Sequence, residues 1–117
     1  MSMQLDVKMF LLACQQTQST DENVSLYAKL IEEEFNEFLV AYKENDNAEQ
    51  LDACMDMIWV ILGYCHMKKF DIKGAWEEVA RSNLSKIDSN TGMVLRRDDG
   101  KILKPANWTP PNLTRFV

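Results

Sequence analysis

Two segments of the chain carry carboxylates at helical spacing. They are Glu33, Glu34 and Glu37 in the first segment, and Glu49, Asp52 and Asp56 in the second. Residues three or four positions apart share one face of an α-helix, so each segment can present its acids together. Carboxylate oxygens are the ligands that Mg²⁺ and Mn²⁺ prefer in proteins. The spacing therefore indicates a hard-cation site if the two segments lie side by side.

The second acidic segment is unusual because its neighbours are apolar. From residue 51 to residue 67 nearly every side chain is apolar on all sides, which is typical of a buried helix, and Asp52 and Asp56 are exceptions. An ionised carboxylate that is buried without a partner is strongly destabilising, so the pair requires positive charge. The segment contains no arginine, and the first acidic helix has only Lys29 and Lys43 near its ends. A metal ion is favoured, and a helix-packing role for the aspartates is the alternative.

Four helices are expected to position these acids. Apolar periodicity and capping residues predict helices over about 5–16, 21–43, 48–68 and 71–83. The short connection over residues 44–47 favours an antiparallel hairpin of the second and third helices. Such a hairpin would bring the two acidic faces together across the seam.

The sequence changes character after Ile87. Asp98-Asp99-Gly100 lies between two short apolar runs and predicts a hairpin, and the segment from Pro105 onward reads as an extended tail. We therefore predict an all-α fold with a four-helix core and a C-terminal hairpin and extended tail. The prediction is one domain over residues 1–117, with the helical core at about 1–87 and the hairpin and tail at about 88–117.

Composition excludes several classes of protein. The net charge of −5 provides no bulk attraction for nucleic acid or anionic membranes. Three cysteines without a CxxC spacing argue against a disulfide framework and against a zinc site. No signal peptide is recognised, and the longest apolar run, residues 57–65, is far shorter than the ~20 residues that span a bilayer. We expect a cytoplasmic protein (in the host cytoplasm if viral) without nucleic-acid or membrane partners.

Two other metal motifs do not fit the chain. Di-iron carboxylate bundles use Glu-x-x-His, but no glutamate lies three residues before the single histidine, His66. The segment from Asp88 begins like an EF-hand loop, but Met93 occupies the position of the required glycine and Asp99 that of the final glutamate.

The acidic segments resemble a known superfamily. Residues 30–37 look like the EExxE helix of the all-α nucleoside triphosphate pyrophosphohydrolases, which include the MazG proteins, the dimeric dUTPases and the phosphoribosyl-ATP pyrophosphohydrolases. The second segment resembles the ExxD helix of this superfamily in two possible alignments, here called frames. Glu49 with Asp52 has the spacing, whereas Asp56 precedes the apolar run but has Ala53 in place of the glutamate. Residues 81–86 and the tail are similar to the corresponding segments of a phosphoribosyl-ATP-pyrophosphohydrolase-like subgroup that is common in bacteria and phages.

The resemblance implies an oligomeric MazG-like bundle, a homodimer or homotetramer with the site near a subunit interface. It also implies metal-dependent hydrolysis of a nucleoside triphosphate to the monophosphate and pyrophosphate. The expected substrate is a dNTP, with dGTP or a related purine as a candidate. The alternatives are dUTP, dCTP or phosphoribosyl-ATP and, outside enzymes, a helical dimerisation scaffold with the same fold.

The site residues are assigned with some roles left open. We expect two or more Mg²⁺ ions, for which Mn²⁺ can substitute, held first by Glu33, Glu37 and Asp56. Asp52 follows, and the part played by Glu49 depends on the frame. Glu34 is a ligand or the general base, so Glu34 and Glu37 are the catalytic candidates. The candidates for substrate binding are Asn83, Lys86, Lys101 and Lys104 for the phosphates, and Gln16 and Trp59 for the base.

Overall fold

The computed structural model describes residues 2–117 and has four α-helices and one short 3₁₀-helix. In chain order they are α1 (Met3–Ala13), α2 (Asp21–Lys43), α3 (Asn47–Met67), α4 (Ile72–Leu84) and the 3₁₀-helix η1 (Thr114–Phe116). Over the described residues, strand pairing is limited to two isolated antiparallel bridges, Ile87 with Val94 and Arg96 with Ile102. The predicted all-α class with four helices is confirmed.

Each α-helix begins at a capping side chain, which explains why its start could be predicted closely. The caps are Ser2, Thr20, Asp46 and Asp71, and each accepts a hydrogen bond from the backbone N–H three residues further on. α2 was predicted to begin at about residue 21, and Asp21 is its first residue.

The first three helices end at residues in the left-handed region. Gln15, Asn45 and Lys69 have φ of 59°, 55° and 60°, and the next residue in each case donates to a carbonyl of the last helical turn. α1 was predicted to continue to residue 16, but it stops at Ala13 because Gln15 takes this conformation. Glycine usually occupies this position, so a glutamine carries no stop signal in the sequence.

The helices divide into two compact units, with the boundary between Phe70 and Asp71. In the first unit α2 and α3 form the expected hairpin, and α1 packs on α3. The core of this unit consists of Val7 and Leu11 from α1, Tyr27 from α2, and Val60 and Met67 from α3.

The second unit contains α4, the hairpin and the tail. The backbone N–H of Asp71 donates to the carbonyl of Phe116 (2.8 Å), which holds the C-terminus beside the start of α4. The chain reverses at the predicted turn, where Arg97 donates to the carbonyl of Lys101 (2.8 Å) and Gly100 has φ of 86°. α4 therefore clusters with the segment after residue 87.

α3 is not buried on all sides, contrary to what its apolar sequence predicted. Ala53, Val60 and Met67 are buried, but Leu51 and Met55 are 62% and 49% exposed. Within the first unit only α1 and α2 pack on α3, so one side of the helix has no partner within that unit. Asp52 lies on the exposed side.

No helix within residues 2–117 combines the length and the apolar content needed to cross a bilayer.

Candidate active site

The α2–α3 hairpin brings together four of the six predicted acids. They are Glu34 and Glu37 from α2, and Asp52 and Asp56 from α3, and we refer to them as the acid quartet. The four groups lie close enough together that the charges of Glu37, Asp52 and Asp56 each raise the pKa of Glu34. The aspartates of both possible family frames therefore belong to the same cluster.

Glu34 is the member of the quartet that points inward. Its Oε2 atom is buried and has no hydrogen-bond partner. Burial, followed by proton sharing with Glu37 and by the charges of Glu37, Asp56 and Asp52, raises the pKa of Glu34 to about 7. This carboxyl can therefore gain or lose a proton near neutral pH.

Asp56 faces the same cluster from α3. It is half-buried, and burial is the first cause that raises its pKa, followed by the negative charges of Asp52 and Glu37. Asp52 itself is exposed, so the expectation of two buried aspartates holds only in part. Asp52 is exposed because it lies on the side of α3 that the other helices of the first unit do not cover.

In the described part of the chain, no lysine, arginine or histidine forms an ion pair with the quartet. The ion pairs found within residues 2–117 are Arg81–Glu78 and Arg97–Asp99, and both lie in the second unit. Across the same residues, no three His, Cys, Asp or Glu side chains are already arranged around a metal position. An all-oxygen donor set with uncompensated charge and an unpartnered carboxylate oxygen nevertheless fits Mg²⁺ or Mn²⁺.

The two remaining predicted ligands lie outside the quartet. Glu33 is exposed and does not contribute to the raised pKa of Glu34 or of Asp56. Glu49 is also exposed, and it shares an open cleft of about 360 Å³ with Glu37. The cleft is lined by Asn36, Glu37, Val40, Ala41, Glu44 and Glu49. It adjoins the acids of both helices and offers space for a ligand beside Glu37.

Gln16 and Trp59, the candidates for base recognition, both contact other side chains of the first unit. Gln16 Oε1 accepts a hydrogen bond from the Tyr27 hydroxyl (3.0 Å), which joins the α1–α2 connection to α2. Trp59 meets Phe10 edge-on, with ring centroids 5.6 Å apart. Both side chains therefore have a contact partner within the first unit.

The phosphate-binding candidates lie in the second unit. Lys86 Nζ donates to Asn83 Oδ1 (3.1 Å), and both lie at the end of α4. The Nζ atoms of Lys86 and Lys104 are 5.5 and 4.4 Å from the centroid of the Trp108 ring. Lys101 lies on the hairpin, where its backbone N–H donates to Asp99 Oδ1 (3.0 Å). Lys86 and Lys104 therefore both lie at Trp108, although they are far apart in the sequence, and Asn83 is bonded to Lys86.

Comparison with known proteins agrees with the resemblance of the acidic segments. No curated protein matches the chain significantly. A family profile described as Phosphoribosyl-ATP pyrophosphohydrolase matches residues 11–83, which include all of α2 and α3 and therefore the acid quartet. This match covers more than half of the chain. The chain thus belongs to the phosphoribosyl-ATP pyrophosphohydrolase family, within the MazG-like all-α nucleoside triphosphate pyrophosphohydrolase superfamily.

Proposed function

We propose that the protein hydrolyses a nucleoside triphosphate to the monophosphate and pyrophosphate in a metal-dependent reaction. Family membership supports the class, a pyrophosphohydrolase of the MazG-like kind. The observation that carries the proposal is the acid quartet. Its four carboxylates converge, none of them forms an ion pair with a cation of residues 2–117, and Glu34 keeps an unpartnered buried oxygen.

The metal ligands in this proposal are Glu37, Asp56 and Asp52, with Glu33 and Glu49 available from neighbouring positions. We propose two or more Mg²⁺ ions, with Mn²⁺ as a substitute. When bound, Mg²⁺ neutralises phosphate charge and makes water more acidic. The chain's net charge of −5 provides no bulk attraction for a polyphosphate.

Glu34 is the proposed general base. A base is most effective when its pKa lies near the working pH, and the pKa of Glu34 is raised to about 7. Its carboxylate would take the proton of the attacking water. The water oxygen would bond to the α-phosphorus as the bond from that phosphorus to the bridging oxygen breaks. Pyrophosphate would leave, and the water oxygen would stay on the monophosphate.

The proposed substrate is a dNTP, with dGTP or a related purine nucleotide first and dUTP or dCTP as alternatives. Phosphoribosyl-ATP is the second candidate, because the family profile that matches the chain carries that name. The proposed phosphate ligands are Lys86, Lys101 and Lys104, together with Asn83.

The deciding experiment is a turnover screen of NTPs, dNTPs and phosphoribosyl-ATP with Mg²⁺ and with Mn²⁺, in which pyrophosphate release is measured. The substrate with the highest kcat/KM identifies the preferred nucleotide. The absence of product from every candidate would contradict the proposal and support the scaffold alternative.

Removing single charges from the quartet tests the site itself. Glu37→Gln and Asp56→Asn should each lower metal-dependent kcat/KM by more than about 100-fold, since even the loss of an outer partner of a metal ligand costs up to that factor. Both variants should remain folded by circular dichroism. Glu32→Gln removes the same charge from an exposed position of α2 and should have wild-type activity. Full turnover in both quartet variants would refute the assignment.

We also propose that the protein assembles as a homodimer or homotetramer. The support is the exposed apolar side of α3, where Leu51, Met55 and Ile58 occupy positions i, i+4 and i+7 and are 62%, 49% and 37% exposed. Contiguous apolar patches of this kind mark interaction surfaces. A second copy would cover the patch with an identical one.

A further inference from the structure

α1 and α3 of the first unit enclose a small cavity, here named the α1–α3 cavity. Its volume is about 110 Å³, and it is lined by Met3, Asp6, Val7, Met55, Ile58, Trp59 and Leu62. An apolar cavity of roughly 150 Å³ takes up a benzene ring, so this cavity is close to the size that one planar six-membered ring fills. Its walls are apolar except at Asp6. Apolar walls with a single polar group are typical of small-molecule sites, in which the polar group fixes the orientation of the ligand.

The cavity lies next to the acid quartet along α3. Asp52, Asp56 and Trp59 occupy positions i, i+4 and i+7, so they share one face of the helix. Trp59 meets Phe10 edge-on, with ring centroids 5.6 Å apart, and this contact holds the indole at the wall of the cavity. Proteins bind single nucleobases between aromatic and apolar side chains of this kind. A ligand with a planar ring a few bonds away from its phosphates would therefore reach the cavity and the quartet together.

Asp6 is the one charged group in the wall of the cavity. It is half-buried, and within residues 2–117 no hydrogen bond or ion pair uses its carboxylate. A carboxylate has two oxygens side by side, and both only accept hydrogen bonds. The ligand edge that complements Asp6 therefore carries two adjacent N–H donors, in the same way as a guanidinium group that binds a carboxylate through two parallel bonds.

We propose that the α1–α3 cavity binds the base of a nucleotide, and that Asp6 is the specificity-determining residue that selects guanine. As a substrate-specificity site the cavity rests on the proposed function, but base binding by itself does not. Met3, Asp6 and Val7 precede the residues that match the family profile, so the α1 wall of the cavity lies outside that match.

Guanine is selected because of the donors on its Watson–Crick edge. Its N1–H and its N2 amino group are adjacent, so each can donate to one oxygen of Asp6. Adenine and cytosine place a ring-nitrogen acceptor beside their amino group, and uracil places a carbonyl on each side of its single N–H. Each of these bases turns an acceptor toward a carboxylate oxygen and leaves that oxygen unpaired, which lowers the affinity.

Five nucleotides with the same sugar and phosphate isolate the contribution of the base. The full-length protein in EDTA is titrated with dGMP, dIMP, dAMP, dCMP and dUMP, and each Kd is measured by ligand-detected nuclear magnetic resonance. We expect dGMP to bind at least about tenfold more tightly than dAMP, dCMP or dUMP, as expected for the loss of one buried hydrogen bond. The base of dIMP differs from guanine only in lacking the N2 amino group, so dIMP should bind with an affinity between those of dGMP and dAMP.

Asp6→Asn should change which base fits the cavity. An amide offers one donor and one acceptor, which complement the amino group and the ring nitrogen of adenine. We expect dGMP to bind about tenfold more weakly and dAMP more tightly than in the wild type, whereas the loss of a merely structural residue would not exchange the two. Asp21→Asn removes an exposed acid from the first turn of α2, as Asp6→Asn does from the first turn of α1, and should keep the wild-type ranking. Met55 and Ile58 are left unchanged because they also belong to the exposed patch of α3.

The outcomes separate the base site from the proposed reaction. Equal affinity for dGMP and dAMP, no measurable binding of any of the five nucleotides, or an unchanged ranking in Asp6→Asn would each overturn the base site, whatever the turnover screen shows. A protein that ranks the bases as expected but releases pyrophosphate from no nucleotide would keep the base site and lose the proposed function. A protein that hydrolyses dNTPs with the same base preference before and after Asp6→Asn would keep the proposed function and lose the base site.

Discussion

At the scale of single residues, the acids of α2 differ in their surroundings although they look alike in sequence. Glu33 and Glu34 are adjacent, yet Glu33 is exposed while Glu34 directs a buried, unpartnered oxygen toward the seam with α3. The difference arises because neighbouring helical positions are rotated by about 100° relative to each other. A carboxyl on the seam meets the acids of the next helix, and the one beside it meets water.

The raised pKa of Glu34 makes the stability of the metal-free protein depend on pH. Between the ordinary value of 4.5 and about 7, the folded protein holds a proton that the unfolded chain releases. The free energy of unfolding should therefore decrease as pH rises through this window, and the contribution of Glu34 is lost above it. Glutamine cannot ionise, so Glu34→Gln should be more stable than the wild type at pH 8 and equally stable at pH 4.

Thermal denaturation in EDTA at pH 4, 6 and 8 measures this effect. We expect a gain of roughly 1 kcal/mol at pH 8, well below the full value of the shift, because solvent screens a half-exposed carboxyl. Glu32→Gln should follow the wild-type pH profile. If the stability curves of Glu34→Gln and the wild type are parallel across this pH range, the raised pKa of Glu34 is wrong.

At the scale of elements, close packing of α2 on α3 holds the quartet together. Gly63 of α3 lies directly against the Tyr27 ring of α2, and a Cβ atom at Gly63 would be 2.5 Å from Tyr27 Cε2. The Tyr27 hydroxyl donates to Gln16, so the ring has a preferred position that links three segments of the first unit. A glycine within a helix looks unfavourable in the sequence, but here it provides space for a core aromatic ring.

Gly63→Ala should therefore destabilise the protein. Alanine is intrinsically better in a helix by up to about 1 kcal/mol, but overpacking against a buried ring typically costs about 1–3 kcal/mol. We expect a net loss of roughly 1–2 kcal/mol in the free energy of unfolding, measured by urea denaturation. The same substitution in a Tyr27→Leu background should cost much less, because the clash is removed. A Gly63→Ala variant with a higher urea midpoint than the wild type would contradict this packing.

At the scale of the whole molecule, the contacts within a single chain do not explain why the apolar surface of α3 is exposed. α3 has an apolar sequence on all sides, but the first unit covers only part of it. The patch formed by Leu51, Met55 and Ile58 lies on the same helix as Asp52 and Asp56. An assembly through this patch would place a subunit interface beside the acid quartet.

Assembly through α3 predicts a change of molecular mass in solution. The wild type should sediment as a dimer or tetramer at micromolar concentration, and Met55→Glu should shift it toward the monomer, because a buried unpaired charge is strongly unfavourable. Ser25→Glu adds the same charge at an exposed polar position of α2 and should leave the mass unchanged. A monomeric wild type, or an unaffected Met55→Glu variant, would remove the basis for an α3 interface.

Local patterns in the sequence were sufficient to define the four helices and the spacing of the acids. Helical periodicity and capping depend on residues three or four positions apart, so they can be read without knowing the fold. The acidic segments also indicated the superfamily that the family profile supports. The end of α1 gave no such signal, because the residue in the left-handed region there, Gln15, is neither a glycine nor an asparagine.

Contacts between distant residues required the folded arrangement. The orientation of Glu34 rather than Glu33 toward Asp56 depends on how α2 is rotated against α3, which is set by packing at points such as Gly63 and Tyr27. The exposure of Asp52 depends on which sides of α3 the chain itself covers. Lys86 and Trp108 are 22 positions apart, and the path of the intervening chain brings them together. Periodicity identifies which residues share a face, whereas packing determines what each face meets.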